Sequence, residues 1–283
     1  MSVTSAVSLP TADPGAGLVT LDPPRALLLH KLDERFQRLA HEVGAQPLVP
    51  PPLLPAEWLA DLDYFKNFPH LCLTAGRFTD QAADLLAVGT PVGTLPAGAH
   101  EPTGYVLPSA TCYGMLLSQR GRQLPEELRL TAVARCFRNE NHFDGLRRLR
   151  GFHMREVIYL GHRDGAEQHL AAAREFVQHL AGGLGLELEV VTANDPFYDR
   201  GGSRAKLTAL DPVKHEFVIP DGTAIASINR HRNFFGDRLD ITWDGTSAFT
   251  SCTAFGVERW IHALELRYGS AEKALERLTD DRL

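Results

Sequence analysis

Two stretches of the chain carry side chains whose types and spacing suit chemistry on a phosphate. Side chains alternate across a strand, so in AVARCFRNE, residues 132–140, one face would carry Cys136, Arg138 and Glu140 and the other Val133, Arg135 and Phe137. In RLRGFHMRE, residues 148–156, Arg148, Arg150, Phe152, Met154 and Glu156 would share a face. If the two faces coincide, one concave patch holds guanidinium forks for phosphate oxygens, a ring face for a base, and carboxylates to fix a base edge or a loop. A nucleoside triphosphate requires that set. The same alternation suits an Arg/Glu ladder on a solvated sheet face, and the residues alone leave both readings open.

Four cysteines, Cys72, Cys112, Cys136 and Cys252, are spread along the chain. In a reducing compartment they are thiols or metal ligands rather than a disulfide framework. No CxxC or HExxH occurs, so any metal site must be assembled from distant residues. Taken one at a time, each cysteine reads as a small buried hydrophobe. GxGxxG and GxxxxGK[ST] are also absent, which removes the two familiar nucleotide loops.

The elements that must position these residues can be read from periodicity. Leu29, Leu32, Phe36, Leu39 and Val43 recur at steps of three and four from Pro24 until Gly44, predicting an amphipathic helix. Pro50, Pro51 and Pro52 force an extended segment, after which Trp58, Leu59, Leu62 and Phe65 suggest a short helix. Leu130 to Glu140 and Leu149 to Gly161 read as an antiparallel strand pair around the polar loop NHFDGLRR. A charged helix from Asp164 to Leu180 follows, then short strands at Leu186–Thr192, His215–Ile219, Ala224–Asn229 and Ala248–Thr253, and a helix at Val257–Leu266. Helices bracketing a run of strands imply an α+β domain on an antiparallel sheet flanked by helices. Residues 1–22, mixed Ser, Thr, Pro and Gly without periodicity, read as a flexible arm outside the function, and residues 23–283 as one catalytic domain.

Composition narrows the function classes. The chain has 283 residues, 44% hydrophobic and 23% charged, with a net charge of −6. It can bury a full core, and the negative balance argues against broad phosphate-backbone binding. No apolar run approaches the roughly 18 to 20 residues of a membrane span, and the opening residues lack the basic and apolar regions of a secretory signal. A cytoplasmic location with no membrane partner is the expectation.

CFRNE followed by GLRRLRGFHMREVIYLG resembles motif 2 of class II aminoacyl-tRNA synthetases, especially the seryl type of methanogenic archaea, and CTAFGVER (252–259) resembles motif 3. ANDPFYDRGG and SINRHRNFFG resemble more narrowly the amino acid:[carrier protein] ligases, truncated relatives of those seryl enzymes. The resemblance implies a class II synthetase-like fold and roles for particular residues. Arg138 would contact the α-phosphate and the reacting carboxylate, Glu140 the adenine edge, Phe152 the adenine face and Arg259 the γ-phosphate. An arginine in the first turn of a helix suits a phosphate independently, because the dipole and free N–H groups there are positive.

By the same resemblance Cys112, Glu156 and Cys252 are three protein ligands of a zinc whose open fourth position takes a substrate amino group. Cys72 and Cys136 match no ligand position, and His153 lies on the wrong face of its strand. Glu216, in KHEFVIP, is the candidate to read the amino acid's side chain or amino group. Ala224 departs from the pattern, standing where these synthetases usually have a metal-binding glutamate, so magnesium placement is open. The implied activity is ATP-dependent activation of glycine or alanine and transfer to the phosphopantetheine thiol of a carrier protein. Arg200, Arg204 and Lys206, or Arg230 and Arg232, would be the docking surface. With no tRNA-binding domain in view, tRNA is not the expected acceptor. A compact seryl-type tRNA synthetase and a catalytically inactive nucleotide-binding paralogue are the alternatives. The segment Leu29 to Phe65 resembles motif 1, which implies a homodimer.

Overall fold

The computed structural model describes residues 14–87, 98–193, 197–199 and 213–278. Asp22 opens the first long helix, α1 (Pro23–Glu42): its carboxylate accepts from the Arg25 N–H at 3.1 Å, and Pro23 and Pro24 fill a turn whose N–H groups would lack partners. Leu28, Leu32, Phe36, Leu39 and Ala40 form its buried stripe, so Leu28 takes the central place expected of Leu29. Gly44, with φ +69°, ends the run.

Seven strands form the main sheet among the described residues: β1 (Gln46–Pro47), β2 (Leu128–Phe137), β3 (Gly151–Gly161), β4 (Glu189–Ala193), β5 (Lys214–Val218), β6 (Ala224–Arg232) and β7 (Phe249–Gly256). Their order is β1-β2-β3-β7-β6-β5-β4. All neighbours are antiparallel except β1, which runs parallel to β2. The expected antiparallel sheet is therefore mixed at one edge, because the chain enters it from α1 rather than through a hairpin.

Register across the sheet sets what shares a face. Leu130, Ile158, Cys252, Asn229 and Lys214 form one row, and Ala132, Glu156, Ala254, Ser227 and Glu216 the next. The opposite face packs on α1, α3 (Arg163–Gly183), α4 (Val257–Tyr268) and α5 (Ala271–Leu278) around Phe36, Val177, Phe217, Phe255 and Trp260. Phe36 and Phe255 stack with centroids 4.4 Å apart. Over the row-bearing face lies α2 (Thr111–Leu117), whose Cys112, Met115, Leu116 and Leu117 share a core with Leu130, Ile158 and Cys252, and the antiparallel strands Leu73–Phe78 and His100–Leu107 reach the same core through Val106; periodicity signals none of the three.

Strand β2 stops at Phe137, so Arg138 and Glu140 sit in the loop to β3 rather than on a strand. Residues 14–22 are also unlike the expected arm. Arg150 donates from its backbone N–H to Gly17 O at 3.0 Å and from Nε to Ala16 O at 3.1 Å, while Leu21 packs on the main core. Residues 1–13 lie outside the described set. No helix among the described residues is long and apolar enough to cross a membrane.

Candidate active site

Helix α2 places Cys112 over the sheet, β3 supplies Glu156 and β7 supplies Cys252. Their ligand atoms lie within 4.8 Å of one another and all three residues are buried. Oε1 of Glu156 accepts from the N–H groups of Thr111 at 2.9 Å and Cys112 at 3.2 Å, while Oε2, also buried, has no hydrogen-bond partner. A buried carboxylate oxygen left without a donor is costly.

Burial pushes the Glu156 carboxyl up; the hydrogen bond that Cys112 donates to Cys252, then burial and the nearby carboxylate, push the Cys112 thiol well up. A divalent cation among these atoms would reverse that logic by deprotonating the thiols and using the orphaned oxygen. Two sulfurs and one carboxylate oxygen fit zinc, and three protein ligands leave a fourth position open. Asn229, directly across from Cys252, donates from Nδ2 to its Sγ at 3.3 Å.

Two cavities meet on this face. Arg138, Arg147, Arg148, Lys214 and Arg259 line the first with Glu140, Glu216 and Glu258, giving five basic against three acidic side chains among the described residues. The second, 480 Å³, takes in Cys112, Glu156, Cys252, Asn229 and a wall of Phe68, Phe197 and Phe235. Arg138, Met154, Lys214, Ser227 and Ala254 line both.

Each residue expected to hold a nucleotide is anchored. The Arg138 guanidinium lies 5.1 Å from the Phe152 ring centroid and donates from Nε to Ser109 O at 3.1 Å. Glu140 is held by Arg148 at 2.7 Å. Arg259 donates to the Arg147 and Ala224 carbonyls at 2.8 and 3.0 Å, which ties the β2–β3 loop to the start of α4. Burial, then Arg138, lowers the Arg259 guanidinium to about 10, still charged at neutral pH.

The structure thus gathers Arg138, Glu140, Phe152 and Arg259 at one cavity and Cys112, Glu156 and Cys252 at the other. Glu216 falls elsewhere than expected: it lines the first cavity only, ion-paired to Lys214 at 3.0 Å, and does not line the cavity with the cysteine cluster. His153 is on the opposite face, as expected, donating its backbone N–H to Glu258 with Nδ1 2.7 Å from the same carboxylate. Arg150 also leaves the patch, turning toward Ala16 and Phe143.

Of the suggested docking residues, Arg230 is paired with Glu167 at 2.6 Å, and Arg200, Arg204 and Lys206 lie outside the described residues. Lys214, Ser227 and Asn229 were missed as site residues. They lie within KHEFVIP and SINRHRNFFG, but only strand pairing shows that Asn229 adjoins Cys252, that Lys214 follows one strand further along the same row, and that Ser227 faces Ala254 in the next row.

Residues 105–267 match the sequence profile of the tRNA synthetase class II core domain (G, H, P, S and T). Amino acid–[acyl-carrier-protein] ligase 1 of Bradyrhizobium diazoefficiens is 30% identical over 266 residues, 87% of this chain and 79% of that protein. Among solved structures, Methanopyrus kandleri seryl-tRNA synthetase in complex with A. aeolicus tRNASec superimposes with TM-score 0.81 at 24% identity, over 94% of this chain and 57% of the other. Pyrococcus horikoshii seryl-tRNA synthetase complexed with ATP gives TM-score 0.67 at 14% identity, over 89% and 54%. The chain therefore spans little more than half of those two synthetases.

Proposed function

Since the chain belongs to the class II tRNA synthetase core family and, within it, to the amino acid–[acyl-carrier-protein] ligases, we propose that it activates a small amino acid with ATP and transfers it to the phosphopantetheine thiol of a carrier protein. The observation that carries this reading is the joining of a cation-lined cavity to one holding a buried Cys–Glu–Cys cluster. A nucleotide in the first would present its α-phosphate to an amino acid in the second.

The chain's own residues then act by position and charge. Phe152 offers a stacking face for adenine, Glu140 its edge contact, and Arg259 a fork for the γ-phosphate. Arg138, which borders both cavities, neutralises the α-phosphate and the attacking carboxylate. A carboxylate oxygen attacks the α-phosphorus, the bond to the bridging oxygen breaks, and pyrophosphate leaves. A thiolate then attacks the carbonyl carbon of the aminoacyl-adenylate and AMP departs. Neither step requires a side-chain nucleophile.

One zinc held by Cys112, Glu156 and Cys252 would supply a Lewis-acid anchor for the α-amino group, selecting amino acids as a class. Magnesium would accompany ATP, with Ala224 offering it no carboxylate. Glycine or alanine is favoured over serine because a pocket that leaves a buried hydroxyl unpaired rejects it by about 1 to 3 kcal/mol.

Likeness to seryl-tRNA synthetases supports a second reading, charging of tRNA. Pyrophosphate exchange with single amino acids, metal analysis, and labelled amino acid offered to holo-carrier or tRNA separate the two. The proposal expects exchange with glycine or alanine, one zinc per chain and label on the carrier. Label on tRNA with a serine preference would establish the second reading. Exchange with no amino acid would mark an inactive paralogue.

A further inference from the structure

Among the described residues five line both cavities, of which Arg138 and Lys214 carry charge. They reach the junction from different elements, Arg138 from the loop after β2 and Lys214 from the first position of β5. Lys214 is aligned with Asn229, and Asn229 with Cys252. Neighbouring strands lie about 4.8 Å apart, so the Lys214 backbone stands about 10 Å along the sheet from that of Cys252. An amino acid whose amino group rests at the cysteine cluster directs its carboxylate into that interval.

We propose that Lys214 is a further catalytic residue of the activation step, placing its ammonium on the carboxylate and α-phosphoryl oxygens as they join. The role rests on the activation reading above. Its side chain is largely enclosed, 17% exposed, and the Glu216 carboxylate holds Nζ at 3.0 Å, which makes Glu216 a positioning residue. Removing the pair from bulk water strengthens the field it exerts at the junction. Ala224 contributes no charge here, so among the described residues that line both cavities the positive charge comes from Arg138 and Lys214. As the carboxylate oxygen bonds to the α-phosphorus and the bond to pyrophosphate breaks, no proton moves. Lys214 remains an ammonium throughout and acts by electrostatics alone.

The test compares Lys214→Met and Lys214→Arg with the wild-type full chain by pyrophosphate-exchange kinetics, ATP affinity from calorimetry and zinc content. Losing one charge-stabilising donor costs about 10²- to 10³-fold in rate. Lys214→Met should lose about that much kcat while ATP affinity and zinc content stay within about threefold, and Lys214→Arg should recover at least about tenfold of the loss. Lys214→Met with near wild-type kcat overturns the role. So does a loss of kcat matched by equal losses of ATP or zinc binding, which would make Lys214 structural. If wild-type protein exchanges with no amino acid, the activation reading fails first and takes this role with it.

Discussion

His169, on α3, is buried behind the catalytic sheet, its Nε2 3.2 Å from the Val157 carbonyl. Burial lowers its pKa from the ordinary 6.5 to about 4, with Arg129 contributing in the same direction. Above pH 6.5 the ring is neutral folded and unfolded alike. As pH falls through that value the unfolded chain takes up a proton that the folded protein refuses until about 4, so stability declines across this window. The shift corresponds to an upper value of about 3 kcal/mol. Urea unfolding of wild type and His169→Gln between pH 7.5 and 4.5 should show a steeper loss in wild type. Parallel curves would show that the ring does not remain neutral.

At the scale of elements, the short helix Phe234–Leu239 packs so closely on the start of β7 that a methyl group on Gly236 would overlap the Ala248 carbonyl. Backbone cannot step aside as a side chain can. Gly236→Ala should therefore cost about 1 to 3 kcal/mol. It should also raise KM for the amino acid, since Phe234, Phe235 and Asp237 of this helix line the second cavity. Gly182, inside α3 with open space around it, is the contrasting position. Gly182→Ala should gain about 0.5 to 1 kcal/mol from helix propensity and a less free unfolded chain. Denaturant midpoints read both, and an unchanged midpoint for Gly236→Ala would mean that the helix shifts freely.

For the molecule as a whole, the segment after α1 shows apolar side chains to solvent: Val49 is 92% exposed, and Leu53 and Trp58 are exposed too, with exposed Tyr105 of the His100–Leu107 strand paired beside Pro55. A set of large apolar groups on the proline-rich segment that resembles motif 1 suits a surface covered by a second copy. The expected state is a homodimer at micromolar concentration by light scattering. Val49→Asp with Trp58→Asp should shift it toward monomer without lowering the unfolding midpoint of the monomer. A wild-type monomer at that concentration would count against the dimer.

What the sequence by itself determined was local. Helices α1, α3 and α4 each bury one face, so their periodicities were legible; β3, buried on both faces from Met154 to Gly161, was legible as a continuous run instead, and the motif strings pointed to Arg138, Glu140, Phe152, Arg259 and the Cys112, Glu156, Cys252 trio. The Leu73–Phe78 strand left no such trace, because most of its positions are exposed and no core face imposes alternation on them. The docking of residues 14–22 depends on Arg150, far along the chain, finding the Gly17 and Ala16 carbonyls. The position of Glu216 and the alignment of Lys214 and Asn229 with Cys252 were decided by tertiary structure alone. Strand register is set by pairing between segments distant in sequence, and a one-residue slip would send each of these side chains to the opposite face.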